Sequence, residues 1–216
     1  MLDFVLDLIY PTTCGYCGEI GKEALCKKCE IELNYLLKEK IDNYKNRKKY
    51  LFEYHVYLYL YKDIIRKKII DYKFNDKSYL YETFAKNIIN SKKICEFLKR
   101  DNIIIPVPIH KKRKMQRGYN QSELIAKALS NRLGLTLVCD SLYKKNNIIE
   151  QSKLNKLDRT INIKNAYGIK NIQKIEGKNI LLFDDIYTTG ATANECSKIL
   201  IENGAKQVDI LTLAKD

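Results

Sequence analysis

The stretch Lys178-Asn179-Ile180-Leu181-Leu182-Phe183-Asp184-Asp185-Ile186-Tyr187-Thr188-Thr189-Gly190-Ala191-Thr192 decides the fold. Its apolar run, bounded upstream by Gly177, predicts a short buried strand. A helical pattern resumes with Cys196, Ile199 and Leu200 on one face, and Asn203-Gly204 is a stop signal. Strand, acidic pair, small polar turn and helix make a ligand-binding order, because open parallel sheets bind ligands beyond the C-terminal ends of their strands. The free amides and dipole of the helix start favour an anion. Gly190 lets the backbone approach that anion, and Thr188, Thr189 and Thr192 add hydroxyls. Asp184 and Asp185 repel a phosphate, so they suit neighbouring hydroxyls such as a ribose diol, directly or through hydrated Mg²⁺. One ligand carrying both groups is a ribose 5-phosphate. The plain alternative is a strand-to-helix turn with a solvated acidic pair.

The run Leu181 to Thr192 resembles the phosphoribosyl-pyrophosphate (PRPP) loop of type I phosphoribosyltransferases. It is neither a Walker A loop nor a Rossmann fingerprint, lacking Gly-Lys-Ser/Thr and G-x-G-x-x-G respectively. The resemblance implies that Asp184 and Asp185 are the catalytic pair, positioning ribose and Mg²⁺, and that Thr188, Thr189, Gly190, Ala191 and Thr192 hold the 5-phosphate.

Outward from this stretch, 216 residues allow one medium α/β domain with a small appendage. The formal net charge of +13 suits polyanionic partners, or reflects a codon bias that also enriches Asn and Ile. No apolar run approaches bilayer length, so no membrane insertion is expected. Met1 to Pro11 carries acids and lacks a basic leader, which is not a signal-peptide pattern and predicts a cytoplasmic protein.

Four of the seven cysteines form two knuckles, Cys14-x-x-Cys17 and Cys26-x-x-Cys29, with eight residues between them. Two knuckles predict tetrahedral thiolate ligation of one structural Zn²⁺. A redox pair needs one C-x-x-C, and an iron–sulfur site is less economical. Cys95, Cys139 and Cys196 fit element interiors. Residues 1–45 read as a zinc-binding module with its following helix, and 50–216 as the phosphoribosyltransferase-like domain. The charged run Lys38 to Lys49 reads as a linker or solvated helix end.

Tyr54 to Tyr61 alternates as a strand, with Val56, Leu58 and Leu60 on the core side. His55 and the tyrosines take the other side, packed on the zinc module or an edge rather than stacking bases. Tyr79 to Lys99 predicts one long helix, Asn102 to Val107 a buried strand, and Gln121 to Leu133 a helix. Strands near Leu135–Leu142 and Gln207–Leu213 complete an alternation that argues for a mostly parallel sheet flanked by helices.

His110 to Gln121 contains Lys111, Lys112, Arg113, Lys114 and Arg117 after a strand, at the acidic pair's edge of the sheet. It reads as a basic loop that seats a pyrophosphate, Arg113 and Arg117 gripping it bidentately, or as a merely solvated loop. Pro106-Val107-Pro108, Arg117-Gly118-Tyr119-Asn120-Gln121, Tyr72-Lys73-Phe74-Asn75-Asp76, Gln151-x-x-Leu154 and Arg159-x-x-Asn162 make the chain similar to the ComF family. Its members join an N-terminal cysteine zinc finger to a phosphoribosyltransferase domain. Where the family commonly carries an arginine-rich stretch before the glutamine segment, Lys144-Lys145-Asn146-Asn147 stands here.

The resemblance implies an accessory factor of DNA uptake in natural transformation that binds PRPP with Mg²⁺, Lys73, Arg113 and Arg117 holding its pyrophosphate. Single-stranded DNA and a DNA-uptake helicase are the implied partners. An active phosphoribosyltransferase of nucleotide metabolism is a second reading, and PRPP as a purely regulatory ligand a third. The segment Lys144 to Asp158 is expected to close as a lid.

Overall fold

The computed structural model describes residues 12–21, 23–75, 77–145 and 165–216. The leading stretch Met1 to Pro11, Asp76, the motifs around Gln151 and Arg159, and most of the expected lid lie outside the described residues.

Helix α1 (Lys27–Leu36) leaves the cysteine module, followed by strands β1 (Lys40–Asn43) and β2 (Tyr54–Leu60). Then come α2 (Asp63–Phe74), α3 (Leu80–Asn90), α4 (Lys92–Leu98), β3 (Ile103–Pro106), α5 (Lys111–Arg117), α6 (Gln121–Leu133) and β4 (Thr136–Leu137). A two-stranded ribbon of β5 (Leu142–Lys144) and β6 (Tyr167–Ile169) precedes β7 (Asn179–Tyr187), α7 (Ala191–Glu202) and β8 (Gln207–Lys215).

The main sheet runs β1-β2-β8-β7-β3-β4, every pairing parallel except the antiparallel β1–β2 edge. Ile180, Leu181, Leu182 and Phe183 of β7 are each 0% exposed, which fits a continuous apolar run covered on both faces. One face carries α2, α3, α6 and the cysteine module, with Ile69, Tyr72, Phe84, Ile125, Leu181 and Phe183 in a single cluster. The other face carries Cys196 and Leu200 of α7 beside Tyr44 and Phe52. There the aromatic segment before β2 takes the place that a crossover helix would fill.

Four sequence expectations change. Charged Lys40–Asn43 is an edge strand rather than a linker, held by pairing with Tyr54–Tyr57. The expected long helix is broken at Ser91, whose extended backbone ends α3 and whose hydroxyl accepts the Ile94 amide at 3.2 Å to start α4. The basic loop after β3 contains a helix, α5, opened by His110 Nδ1 accepting the Lys112 amide and closed by Gly118 at φ 76°. Leu135–Leu142 is two separate strand ends, β4 and β5, and Cys139 between them is exposed. His55 is structural as expected: it is fully buried, stacked between Tyr57 and Tyr187, with Nε2 2.9 Å from Thr212 Oγ1. Burial pushes its imidazole down to about 3, so it is neutral at physiological pH.

Candidate functional site

Strand β7 ends in Asp184-Asp185-Ile186-Tyr187, and the turn Thr188-Thr189-Gly190 delivers the chain to α7. Gly190 is the helix cap at φ 75°, a conformation open to glycine, and a Cβ there would overlap the Tyr187 ring. Tyr187 thus forms the floor of the turn. Thr189 Oγ1 accepts the Ala191 amide at 3.3 Å, and the remaining amides of the first helical turn have no partner within the helix. That is the environment in which an anion is favoured.

Asp184, Thr188, Thr189, Gly190, Ala191, Thr192 and Arg113 line one cavity of about 420 Å³, together with Phe74 and Thr212. Asp184 Oδ1 accepts the Asp185 amide at 2.9 Å and lies 3.5 Å from Ser122 Oγ. Burial, then the charge of Asp185, pushes the Asp184 carboxyl up to about 7. Asp185 is 9% exposed and forms an ion pair with Lys73 Nζ at 2.7 Å. Lys73 therefore sits among the site residues, but against the carboxylate in the free protein. Arg117 stacks over the ring of Phe74, 4.6 Å from its centroid; Phe74 lines the cavity and Arg117 itself does not. Lys111, Lys112 and Lys114 are exposed on α5, Lys114 paired with Glu123 at 2.8 Å.

Several contributing residues carry no motif of their own. Ser122 follows a helix cap in which Asn120 Oδ1 accepts its amide, and only the folded α6 brings it to Asp184. Thr212 is the register partner of Asp184 on β8. Tyr187 lies inside the quoted stretch, and its bulk beside a glycine was the available signal.

The cysteine module forms a second centre. The sulfurs of Cys14, Cys17, Cys26 and Cys29 all lie within 4.8 Å of one another, so the four could hold a zinc ion. Burial opposes ionisation of Cys14, but amides of Cys26, Cys17 and Tyr16 donate to its sulfur and hold the thiol down at about 6. That favours a thiolate at Cys14, whereas burial pushes the Cys29 thiol up. Three further observations seat the module on the main domain. A Cβ on Gly15 would overlap Thr83 Oγ1, the Thr83 hydroxyl donates to the Ala24 carbonyl at 2.6 Å, and Glu23 pairs with Lys86. Among the described residues no helix is long and apolar enough to cross a membrane.

No family model matches the chain. Competence protein F of Haemophilus influenzae is 32% identical over 67% of this chain and 65% of its own length. The DNA utilization protein YhgH of Escherichia coli O157:H7 is 31% identical, but the match spans about half of each protein, 52% of this chain and 48% of the relative. Among solved structures, the glutamine PRPP amidotransferase of B. subtilis overlaps 61% of this chain and 25% of its own, with 15% identity and a TM-score of 0.41. A hypoxanthine phosphoribosyl transferase of Trypanosoma cruzi overlaps 63% and 65%, with 12% identity and a TM-score of 0.40. Competence protein ComFC of Bacillus subtilis is 28% identical over 94% of this chain and 77% of its own length. On that evidence the chain is similar, over most of its length, to competence proteins of the ComF kind.

Proposed function

We propose that this protein binds PRPP as its Mg²⁺ complex in the cavity beyond β7 and serves DNA uptake as an accessory factor that handles single-stranded DNA. The observation that carries the ligand is the juxtaposition in one cavity of the Asp184 carboxyl, the start of α7 and Arg113, with Asp185 next to Asp184 and paired with Lys73. In this reading the amides and hydroxyls from Thr188 to Thr192 hold the 5-phosphate. Asp184 and Asp185 meet the ribose diol and Mg²⁺, through oxygen ligands that a hard cation prefers. Lys73 leaves Asp185 for the pyrophosphate, joined by Arg113 and Arg117. Zn²⁺ would hold the four cysteines together structurally. The DNA role is supported by relatives named for competence and DNA utilization and by the net charge of +13. A cytoplasmic location and a DNA-uptake helicase as partner belong to the same proposal.

Calorimetric titration with PRPP plus Mg²⁺ is expected to show saturable binding at one site per chain. Heats no larger than those of buffer would sink the ligand assignment. Single-stranded DNA is expected to bind with an affinity that falls with log salt, at a slope of about −0.7 per phosphate neutralised. Replacing Lys111, Lys112 and Lys114 with Gln should flatten that slope without changing sequence preference, since backbone contacts carry no base information. Lys111 and Lys112 should dominate the change, because Lys114 is already paired with Glu123.

The second reading is a working phosphoribosyltransferase. Arg113, in the same cavity as Asp184, would stabilise pyrophosphate as it departs from C1. Release of pyrophosphate from PRPP in the presence of an acceptor would move this reading ahead.

A further inference from the structure

The cysteine module and the carboxylate site are gripped by the same helix, α2. At Lys68 its ammonium donates to the Tyr16 carbonyl at 2.6 Å and lies 5.6 Å from the centre of the Tyr16 ring. Tyr16 stands between the knuckle cysteines Cys14 and Cys17. Further along the same helix, Tyr72 Oη donates to the Gln121 carbonyl at 2.8 Å, and Lys73 makes its ion pair with Asp185 at 2.7 Å. The two lysines stand five positions apart, about 7.5 Å of α-helix. The module is no loose appendage to this rod. Cys14, Leu25, Cys29 and Leu33 share one buried cluster with Ile65, Ile69 and Tyr72 of α2.

Lys68 is 9% exposed. A buried ammonium is costly unless negative charge lies close by. Asp71 on the same helix supplies part of that charge, and four thiolates around Zn²⁺, with a net double negative charge, would add to it beside Tyr16. Loss of the metal releases the knuckle backbone, including the Tyr16 carbonyl that accepts from Lys68. The helix transmits the change to Lys73 because its apolar side is packed throughout and does not deform continuously.

We infer that zinc at the four cysteines and a phosphoribosyl ligand at Asp184 and Asp185 bind with positive thermodynamic coupling, carried by α2 from Lys68 to Lys73. This rests on the reading of the cavity as a PRPP site. Lys68 is a positioning residue in this scheme: it touches neither ligand but sets the helix that presents Lys73.

Coupling of this kind is reciprocal, so two measurements must return one factor. The first is PRPP affinity, with Mg²⁺, of the zinc-loaded and zinc-stripped protein. The second is zinc affinity of the loaded protein, measured by competition with a chromophoric chelator in the presence and absence of PRPP. The second needs no folded metal-free form. A factor of about tenfold is expected, within the ordinary range for coupled sites. Lys68→Met should retain one zinc per chain while the factor collapses toward one, and Lys68→Arg, which keeps the charge, should restore most of it. PRPP binding that is present but identical with and without zinc, together with a chelator curve that PRPP leaves unmoved, would overturn the coupling alone. Absence of PRPP binding to the zinc-loaded protein would overturn the site reading and the coupling together. A Lys68→Met protein that keeps the full factor would remove α2 as the carrier.

Discussion

Two pairs of aspartates sit at opposite ends of the same sheet, and both contain carboxyls whose proton affinity is raised. At the C-terminal end of β7, Asp184 is pushed up to about 7 by burial and by Asp185. At the other end, Asp101 just before β3 is pushed up to about 8 by burial and by Asp209 on β8, which is itself raised to about 6 chiefly by burial. Their surroundings differ. Asp184 faces a cavity lined by Arg113 and the start of α7, and Asp185 already holds a lysine at 2.7 Å. Asp101 and Asp209 are 5% and 0% exposed, and both oxygens of Asp101 lack a hydrogen-bond partner. Arg100 Nε reaches Asp209 at 3.2 Å, beside Gln207 Nε2 at 3.0 Å. A perturbed carboxyl thus does not mark a ligand site by itself. Access, an exchangeable cation and unspent amide donors separate the functional pair from the enclosed one.

The largest expected effect lies at the open pair. Asp184→Asn with Asp185→Asn removes two charge-assisted contacts to ribose or Mg²⁺, each worth about 1.5–3 kcal/mol, so PRPP affinity should fall about 10²-fold or more. Stability at neutral pH should change little, because relief of two crowded carboxylates is offset by loss of the Lys73–Asp185 ion pair. Calorimetry and a thermal melt on the same preparation check both halves. Unchanged affinity in a folded double variant would make the open pair as inert as the enclosed one. A smaller effect, about tenfold in PRPP affinity, is expected for Lys73→Met, which removes one cation from the pyrophosphate and leaves Asp185 unpaired. If Lys73 serves only to neutralise Asp185 in the free protein, the substitution will lower stability and leave the affinity alone.

The contrast between the two pairs was half legible in the sequence. Asp184 and Asp185 stand adjacent, after an apolar run and before a threonine- and glycine-rich turn, so local order alone exposes them. The knuckles are legible for the same reason, because C-x-x-C spacing is a local constraint. Asp101 and Asp209 are remote in sequence and become a pair only through sheet register, which places Leu181 opposite Asp209. Lys73 reaches Asp185 by the same kind of nonlocal contact. Helix α5 was missed because none of its residues is buried, so it leaves no apolar period to read. Strand β1 was missed because Lys40-Ile41-Asp42-Asn43 has the composition of a loop and is a strand only by virtue of β2.

The enclosed pair makes a prediction that the open pair does not share. A carboxyl with a folded-state pKa of about 8 binds its proton more tightly in the native protein than in the unfolded chain, where the value is about 3.9. Between those two values the native state holds more protons, so stability declines as pH rises through the window and levels off above pH 8. Asp101→Asn keeps the shape, removes the charge and supplies an amide donor beside Asp209, whose Oδ1 has no partner. The variant should therefore be more stable than wild type at pH 8, by roughly 2 kcal/mol once relaxation is allowed for, and nearly equal to it at pH 5. Urea melts at the two pH values measure the difference, and the PRPP affinity of the variant should match that of wild type. A variant that is less stable at pH 8 and keeps the wild-type pH slope would show that Asp101 is ionised and solvated in the native protein. The two pairs would then differ in access less than their burial implies.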